Sequence, residues 1–200
     1  MSIANSNRRR QSLLVVISSP SGGGKTTLIS RLLKKNKSLR RSVSVTTRPR
    51  RKGEIPGRDY HFVTEEQFRD LIRQRGLAEY EQVHGYHYGT PKNVIDRAEK
   101  NGWTVLFTID VNGALALKKK YPQSVLVFLL PPSWEILKQR LEGRQSESRA
   151  SLLKRLKNAK RELKFRRKYD YIIVNKEIEK CVSQIECIIQ AEKSKTSRTQ

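Results

Sequence analysis

Cysteine is scarce in this sequence, and its placement excludes some kinds of function. Only two cysteines, Cys181 and Cys187, occur in 200 residues. Their spacing matches neither a metal knuckle nor a redox pair. Both fall within an apolar helical pattern, so we expect them to be packing residues in a protein from a reducing compartment.

Long apolar runs are also missing. None approaches the roughly 20 residues that a helix needs to span a bilayer. The basic stretch Asn7–Arg10, followed by apolar residues, resembles the start of a signal peptide. Its apolar part is too short, however, and it runs directly into a glycine-rich loop. We therefore expect a cytoplasmic protein with no membrane partner.

Acidic residues are few compared with basic ones. The chain has 19 Asp and Glu against 42 Lys and Arg, which gives a formal net charge of +23. Such a charge favours polyanionic partners through electrostatic steering and counterion release. Nucleic acids and nucleoside phosphates are both polyanions, so charge alone does not separate them. Many of these basic residues also fall on helix faces and at the termini, where they would simply be solvated.

What the chain does contain is an alternation of strand-like and helix-like stretches. A length of 200 residues suits one domain with a small insertion. The alternation predicts an α/β fold with a mainly parallel sheet flanked by helices. Residues 42–91 hold short strands and glycine-rich turns instead, so we expect them to form an inserted lobe. The expected division is a basic mobile arm at 1–11, a core at 12–41 and 92–191, the lobe at 42–91 and a polar tail at 192–200.

The most informative stretch is a glycine-rich segment between the apolar run Leu13–Ile17 and a helical pattern that extends to about Lys35. In this setting glycines let successive backbone N–H groups converge on phosphate oxygens at a helix N-terminus. Lys25 would contact the β- and γ-phosphates, and the Thr26 hydroxyl would bind Mg²⁺. The segment therefore predicts a nucleoside triphosphate site formed by Ser19, Pro20, Ser21, Gly22, Gly23, Gly24, Lys25, Thr26 and Thr27.

A second ligand-binding position is expected at Asp110. It ends a nearly continuous apolar run from Trp103, which predicts a strand buried on both faces with Asp110 at its carboxyl end. Ligands of open α/β sheets bind at that end.

The other predicted strands are at 42–47, 60–63, 125–130 and 171–174, with short strands in 77–90. The other predicted helices end near 73, 100, 120, 142, 168 and 191.

Basic residues in and after the polar stretch 143–149 are candidates for closing over a γ-phosphate. Phosphoryl transfer needs positive charge around the transferred oxygens, and Arg144, Arg149 and Arg155 could supply it. A solvated surface arginine is the alternative for each of them, and for Arg149 it is the better interpretation.

The predicted lobe carries a group of side chains suited to a second phosphate. Arg48 and Arg51 follow a strand, where guanidinium groups can bind a phosphate with two hydrogen bonds. Tyr60 and Tyr88 could add hydroxyl donors. Taken alone, the cluster fits a nucleic-acid backbone equally well.

Nearby polar residues favour a guanine nucleotide. Ser44 precedes Arg48 on the same predicted strand, and Glu79 lies in the lobe. A carboxylate can accept hydrogen bonds from both N1–H and the exocyclic amine of guanine, and adenine offers no such pair. Discrimination of this kind can be large, because the wrong base leaves buried groups unpaired. A solvated Glu79 is the alternative.

Several separated motifs together resemble the guanylate kinase family over nearly the whole chain, from about Leu14 to Ile189. The motifs are Ser-Pro-Ser-Gly-x-Gly-Lys-Thr at 19–26, Ser-Val-Ser-x-Thr-Thr-Arg at 42–48, Arg51 with Gly53-Glu54, Glu79, Val83-His84-Gly85, Tyr88-Gly89-Thr90, Ile109-Asp110-Val111, Pro131-Pro132-Ser133, Arg140, Arg144 and Val174-Asn175. The resemblance implies Mg²⁺-dependent transfer of the ATP γ-phosphate to GMP, and to dGMP, by a monomer or homodimer. It also implies a core, a GMP-binding lobe and a lid at about 143–155 that close on the substrates.

The resemblance further implies a role for individual residues. Those facing GMP are Ser44, Glu79, Thr90 and Asp110 at the guanine, and Arg48, Arg51, Tyr60 and Tyr88 at its phosphate. Those facing ATP are the glycine-rich segment, Arg140 and Asn175 beside the adenine, and the lid arginines Arg144 and Arg155. Lys25, Arg48, Arg144 and Arg155 would be catalytic, and Thr26 and Asp110 would bind the metal.

Three residues depart from the family pattern. Ser19 replaces a glycine, which would affect the geometry of the loop. Thr108 replaces a carboxylate two residues before Asp110, which puts more of any metal or guanine contact on Asp110. Gln145 replaces a glycine after the lid arginine, which could stiffen the lid. None of these changes removes a group that phosphoryl transfer needs.

Two alternatives to an active kinase remain at this level. Guanylate-kinase-like binding modules keep the fold without catalysis, but their phosphate loops are typically degraded, whereas Lys25 and Thr26 are intact here. Nucleic-acid binding is motivated only by the basic charge. We expect weak, charge-driven binding of nucleic acid and no specific recognition.

Overall fold

The computed structural model describes residues 11–83, 85–143 and 149–198. Its strands are β1 (Leu13–Ser18), β2 (Leu39–Arg41), β3 (Val45–Thr46), β4 (His61–Phe62), β5 (Leu77–Val83), β6 (Tyr86–Pro91), β7 (Thr104–Phe107), β8 (Val125–Leu130) and β9 (Tyr171–Val174). Its α-helices are α1 (Lys25–Lys35), α2 (Glu65–Arg73), α3 (Lys92–Asn101), α4 (Val111–Lys120), α5 (Trp134–Glu142), α6 (Arg149–Lys164) and α7 (Ile178–Lys193). Apart from Gln11, the predicted arm at 1–11 lies outside the described residues.

A parallel sheet in the order β2-β7-β1-β8-β9 forms the centre of the fold. β1 lies in the middle of it and is buried along its whole length, as its uninterrupted apolar sequence predicts. The carboxyl ends of the parallel strands all lie at the same end of the sheet. The glycine-rich loop follows β1 there, Asp110 comes after β7, and Asn175 follows β9. The predicted α/β class with a mainly parallel sheet is confirmed.

Helices cover both faces of this sheet. On one face, Leu28 of α1 and Ile185 of α7 pack against the odd-numbered residues of β1. On the other, Ile95 of α3 and Leu117 of α4 pack against the even-numbered ones. Within the described parts of the chain, no helix is both long and apolar enough to cross a bilayer.

A second, smaller sheet is built from the segment between the core strands β2 and β7. Its order is β4-β3-β6-β5, with β3 antiparallel to β6 and β5 antiparallel to β6. Val45, Phe68 and Leu77 form its own small apolar core. Thr64 caps the start of helix α2: its hydroxyl accepts from the Gln67 amide while the Gln67 side chain accepts from the Thr64 amide. Strands β3, β5 and β6 of this sheet lie near the carboxyl ends of the core strands, where the glycine-rich loop is.

Two predicted strands have different bounds in the structure. Of the strand expected at 42–47, only Val45–Thr46 is a strand, β3 of the small sheet, and the unexpected strand β2, which joins the core sheet, lies just before this range at Leu39–Arg41. The chain changes sheets here, and the Ser42 amide still donates to Leu106 O of β7. The strand expected to reach Asp110 ends at Phe107, and Asp110 instead begins α4 by accepting from the amides of Asn112 and Gly113.

The C-terminal segment is more closely packed than a polar tail would be. Glu192 lies inside α7 and is almost fully buried, where its carboxylate accepts from the Tyr171 hydroxyl and pairs with Lys195. Arg198 folds back to donate to the Gln123 carbonyl. The prediction for the cysteines is half correct, because Cys181 is buried but Cys187 is exposed.

Candidate active site

The glycine-rich loop between β1 and α1 has the backbone shape that a phosphate-binding loop requires. Gly22 and Gly24 have φ angles of 82° and 96°, a region that residues with a Cβ rarely adopt. The Gly23 amide donates to the Pro20 carbonyl, which tightens the turn. α1 begins at Lys25, so its unpaired first-turn amides point toward the loop.

Ser19, the residue that replaces the usual glycine, fits this loop and contacts the lysine. It is buried, and Lys25 Nζ donates to its backbone oxygen at 2.6 Å and to its Oγ at 3.1 Å. The Ser19 side chain fills the space beside Gly23, where an added Cβ would come within 2.5 Å of its Oγ. The serine therefore holds the lysine against the loop and requires a glycine at 23.

Residues from three other elements support or surround this loop. Asn175, after β9, donates from Nδ2 to the Gly23 carbonyl at 2.9 Å. Arg155 of α6 donates to the Ser21 hydroxyl at 2.8 Å. Arg140 of α5 lines the same cleft. Those residues predicted to face ATP that the structure describes are thus gathered on one side of the cleft, with Asn175 bonded to the loop backbone.

The arginines of the small sheet face the same cleft from the other side. A cavity of about 920 Å³ is lined by the glycine-rich loop with Lys25 and Thr26, and also by Arg48, Arg51, Tyr60 and Tyr88. This is the arrangement expected if the loop and the arginines hold phosphates of two different molecules.

Arg48 is fixed in place rather than free at the surface. Its Nη2 pairs with Glu54 Oε1 at 2.7 Å, and its guanidinium lies 5.4 Å from the centre of the Tyr60 ring. Glu54 Oε2 also accepts from the Arg51 amide at 2.8 Å. Partial burial opposes the charge of Glu54, but the hydrogen bonds from Arg48 and from the Arg51 amide outweigh it and lower the pKa of Glu54. A charged glutamate thus orients the arginine that faces the cleft.

A smaller cavity of about 250 Å³ adjoins the first and shares Lys25, Tyr60 and Tyr88 with it. Its walls carry Ser44 and Glu79. The remaining predicted guanine residues are Asp110, which lines this cavity too, and Thr90, which is fully buried behind Glu79.

Glu79 is held by Thr90 in a confined space. Thr90 Oγ1 donates to its Oε1 at 2.5 Å, and its Oε2 lies so close to Gly113 that a Cβ there would come within 2.6 Å. Burial, opposed by the Thr90 hydrogen bond and reinforced by the charge of Asp110, raises the pKa of Glu79 to about 7. Burial thus disfavours the charged carboxylate, and further N–H donors would stabilise it.

The sequence-based interpretation missed two acidic residues of this site. Glu81 lines the small cavity and bonds Asn112, and burial together with the nearby Asp110 raises its pKa to about 7. Glu162 lines the same cavity, and burial raises its pKa although Lys25 and the Ser21 amide oppose the shift. Sequence periodicity carried a signal for both: Glu81 lies two residues after Glu79 on a strand, and Glu162 lies seven after Arg155 on a helix.

Two of the predicted lid residues lie outside what the structure describes. Arg144 and Gln145 belong to the stretch 144–148, which is not among the described residues. Thr108 is described and lines both cavities with a hydroxyl where the family pattern has a carboxylate. Of the predicted metal ligands, Thr26 is exposed at the start of α1, and Asp110 shares the smaller cavity with Lys25.

The fold and this loop define the class of the protein: an α/β P-loop protein with an inserted lobe whose arginines face the loop. The chain belongs to the guanylate kinase family, because the family model described as "Guanylate kinase" matches residues 11–192. A guanylate kinase of Clostridium acetobutylicum is 43% identical over 85% of this chain and 81% of its own length. One from Thermotoga maritima is 42% identical over 86% of this chain and 84% of its own.

A solved structure agrees with this assignment. The crystal structure of guanylate kinase from Anaplasma phagocytophilum superposes with a TM-score of 0.82 at 34% identity, covering 96% of this chain and 92% of that one. The membership in the guanylate kinase family, expected from the motifs, is therefore confirmed.

Proposed function

We propose that this protein transfers the γ-phosphoryl group of ATP to GMP, giving ADP and GDP. The observation that carries the proposal is that Lys25 of the glycine-rich loop lines one cavity together with Arg48 and Arg51 of the small sheet. Two phosphate-binding groups on opposite walls of one cleft suit a donor and an acceptor that meet end to end. The guanylate kinases to which the chain is similar support the same reaction.

On the donor side, the loop amides and Lys25 would bind the β- and γ-phosphates of ATP. In the ligand-free protein Lys25 Nζ donates to the Ser19 backbone oxygen. A phosphate oxygen bound at the loop would replace Ser19 as the acceptor for this lysine. Arg155 is already beside the loop through Ser21 and would stabilise charge on the transferred group. Arg140 and Asn175 would lie near the adenine. The matching role of Arg144 stays a prediction.

On the acceptor side, Arg48 and Arg51 with Tyr60 and Tyr88 would bind the phosphate of GMP. Glu54 keeps Arg48 aligned for this task. Ser44 would face the guanine O6, and Glu79, backed by Thr90, would accept from the N1–H and N2–H groups. Binding and positioning carry the catalysis, because phosphoryl transfer needs no nucleophile from the protein.

Mg²⁺ fits the oxygen groups that this site offers. The Thr26 hydroxyl is exposed beside Lys25, and the carboxylate of Asp110 lines the cavity that Lys25 shares. Mg²⁺ prefers such oxygen ligands and is usually held by one or two protein groups plus substrate phosphates. When bound, the ion would neutralise charge on the β- and γ-phosphates, while Thr26 and Asp110 would fix its position.

A panel of nucleoside monophosphates tests the proposal directly. Purified protein with ATP and Mg²⁺ is expected to phosphorylate GMP, and dGMP as well, with kcat/KM at least about 100-fold above that for AMP or dTMP. Removal of Mg²⁺ with a chelator is expected to stop turnover. Comparable rates with AMP or dTMP would contradict the guanine assignment, and no turnover of any monophosphate would contradict the kinase assignment.

A further inference from the structure

Arg41 is a cation of the main cleft that belongs to the core sheet and not to the small one. It is the last residue of β2, where it pairs in register with Leu106 of β7. Its side chain lines the cavity of about 920 Å³ that the glycine-rich loop also lines. The preceding residue, Arg40, leaves the opposite face of the strand, donates to the Lys37 carbonyl and packs over the ring of Trp103. Of these two adjacent arginines, one is bonded to its own segment and the other borders the cleft.

The guanidinium group of Arg41 lacks a protein acceptor. Within residues 11–83, 85–143 and 149–198 its side chain forms no hydrogen bond and no ion pair, and its Nε is buried. A buried donor without an acceptor is costly, so such a group on a cavity wall is suited to a ligand that brings acceptor oxygens. Phosphate is the ligand that guanidinium groups match best, because it can accept two parallel hydrogen bonds.

The carboxylates on the same wall are paired with other arginines. Glu54 pairs with Arg48 at 2.7 Å, and Asp59 pairs with Arg58 at 2.9 Å. The side chains of Arg41 and Arg51 remain without a carboxylate partner in the described part of the chain. A phosphomonoester carries a charge of about −1.5 to −2 at pH 7, so two uncompensated cations match its charge.

The neighbouring core strand also leaves the charge of Arg41 uncompensated. Thr108 follows Leu106 by two residues, just beyond β7, and lines the same cavity with a hydroxyl. A carboxylate, which the family pattern has at this position, would place a negative charge on this wall and compete with a phosphate for the arginine. The threonine therefore keeps the guanidinium group available for a ligand.

The position of Arg41 indicates which phosphate it would bind. In the core sheet, β2 and β9 lie on opposite sides of β1, each two strands or about 9.6 Å away. Asn175, on the ATP side, follows β9, so Arg41 is on the other side, where the small sheet lies. Burial and the neighbouring Tyr88 raise the pKa of Tyr60, and the charges of Arg48 and Arg41 both oppose the rise. Arg41 is therefore close to the tyrosine assigned to the GMP phosphate.

We propose that Arg41 is a third arginine of the GMP phosphate site, which binds a phosphate oxygen from the core while Arg48 and Arg51 bind from the small sheet. This inference rests on the proposed function. It makes the core as well as the inserted lobe a part of the acceptor site, so that one bound phosphate connects the two sheets.

The test removes the phosphate and the arginine separately. Guanosine shares the base and ribose of GMP and lacks its phosphate. Arg41→Met, which keeps much of the side chain but removes the charge, is expected to raise the Kd for GMP about 10- to 100-fold and that for guanosine less than about 2-fold. Arg41→Lys keeps the charge and is expected to recover part of the loss. The Kd for ATP is expected to stay the same in both variants. Titration calorimetry with each ligand measures these constants.

The matched control is Arg40→Met, which removes the same charge from the other face of β2 and is expected to leave the Kd for GMP unchanged. Equal weakening of GMP and guanosine in Arg41→Met would overturn the inference, because it would indicate a merely structural role. Weakening of ATP rather than GMP would also overturn it, because the arginine would then serve the donor. A wild-type protein that fails to bind GMP would instead contradict the proposed function, so the two failures are distinguishable.

Discussion

Lys25 is the residue whose removal should affect chemistry most. Its ammonium group lies at the loop, on the wall of the cleft that faces Arg48 and Arg51. Lys25→Ala is expected to lower kcat by at least about 1,000-fold, because the lysine stabilises charge on the transferred phosphoryl group. Steady-state kinetics with saturating ATP and GMP checks this. Lys34→Ala, at an exposed position on the same helix, serves as the control, and an unchanged kcat in Lys25→Ala would refute the role of the lysine.

Glu79 links GMP binding to pH. Its carboxylate must be ionised to accept two N–H groups, and its pKa in the ligand-free protein is raised to about 7 by burial. GMP is therefore expected to bind about tenfold more weakly at pH 6 than at pH 8. Titration calorimetry of wild type and Glu79→Gln separates this effect from protonation of the GMP phosphate, which both proteins share. A wild-type pH dependence no steeper than that of the variant would contradict the assignment.

The same carboxylate should lower the stability of the ligand-free protein. A pKa raised from 4.5 to about 7 means that folding disfavours the charged form. The cost is absent below about pH 4.5, grows as the pH rises to about 7 and is constant above that. Glu79→Gln is therefore expected to stabilise the protein by about 1–3 kcal/mol at pH 8 and not at pH 4.5. Thermal unfolding at both pH values measures this, and equal Tm differences would show that ionisation is not the cause.

At the scale of the elements, the phosphate loop is supported by a contact from the far edge of the core sheet. Asn175 follows β9 and donates to the Gly23 carbonyl, and it also lies against Gly24. Asn175→Ala is expected to lower the free energy of unfolding by about 1–3 kcal/mol, because the buried Gly23 carbonyl loses its hydrogen-bond donor. KM for ATP should rise severalfold and KM for GMP should change little. Lys180→Ala, exposed on α7, is the control, and equal changes in both KM values would contradict this role.

The sequence was most informative where function requires a local pattern. The apolar run of β1 followed by glycines and Lys25 predicted strand, loop and helix together, because all three serve one phosphate site. The switch of the chain from β2 to β3 was not predictable, because Leu39–Arg41 is short and two-thirds basic. Its place in the core sheet comes from pairing with β7, which is a tertiary contact.

In the candidate site, too, some residues could be predicted from local sequence and others depend on tertiary contacts. Arg48 and Glu79 were identified from residue type and family resemblance. Glu81 and Glu162 were missed because an acidic residue in a polar strand or a basic helix is usually solvated. The packing of β5 against α4, and the contact of α6 with the loop through Arg155 and Ser21, bring these two carboxylates to the cavity.

At the scale of the whole molecule, the net charge of +23 should make the surface bind nucleic acid at places other than the nucleotide site. Exposed cations cluster on the surface of α6 and the turn after it, at Lys154, Lys157, Lys160, Arg161, Lys164, Arg166, Arg167 and Lys168. Weak, sequence-independent binding to duplex DNA is expected at 50 mM salt and should fall at least about 100-fold by 200 mM. Arg48→Ala and saturating GMP should leave it unchanged. Salt-resistant binding, or binding lost with GMP, would contradict a purely electrostatic origin.

The central claim is that the loop and the arginines of the small sheet bind two nucleotides end to end in one cleft. The most direct measurement is calorimetry with an adenosine and a guanosine joined by five phosphates, which spans both positions at once. One molecule is expected to bind per chain, more tightly than ATP or GMP alone, and to be displaced by either nucleotide. Competition with only one of them, or binding of two molecules per chain, would contradict the claim.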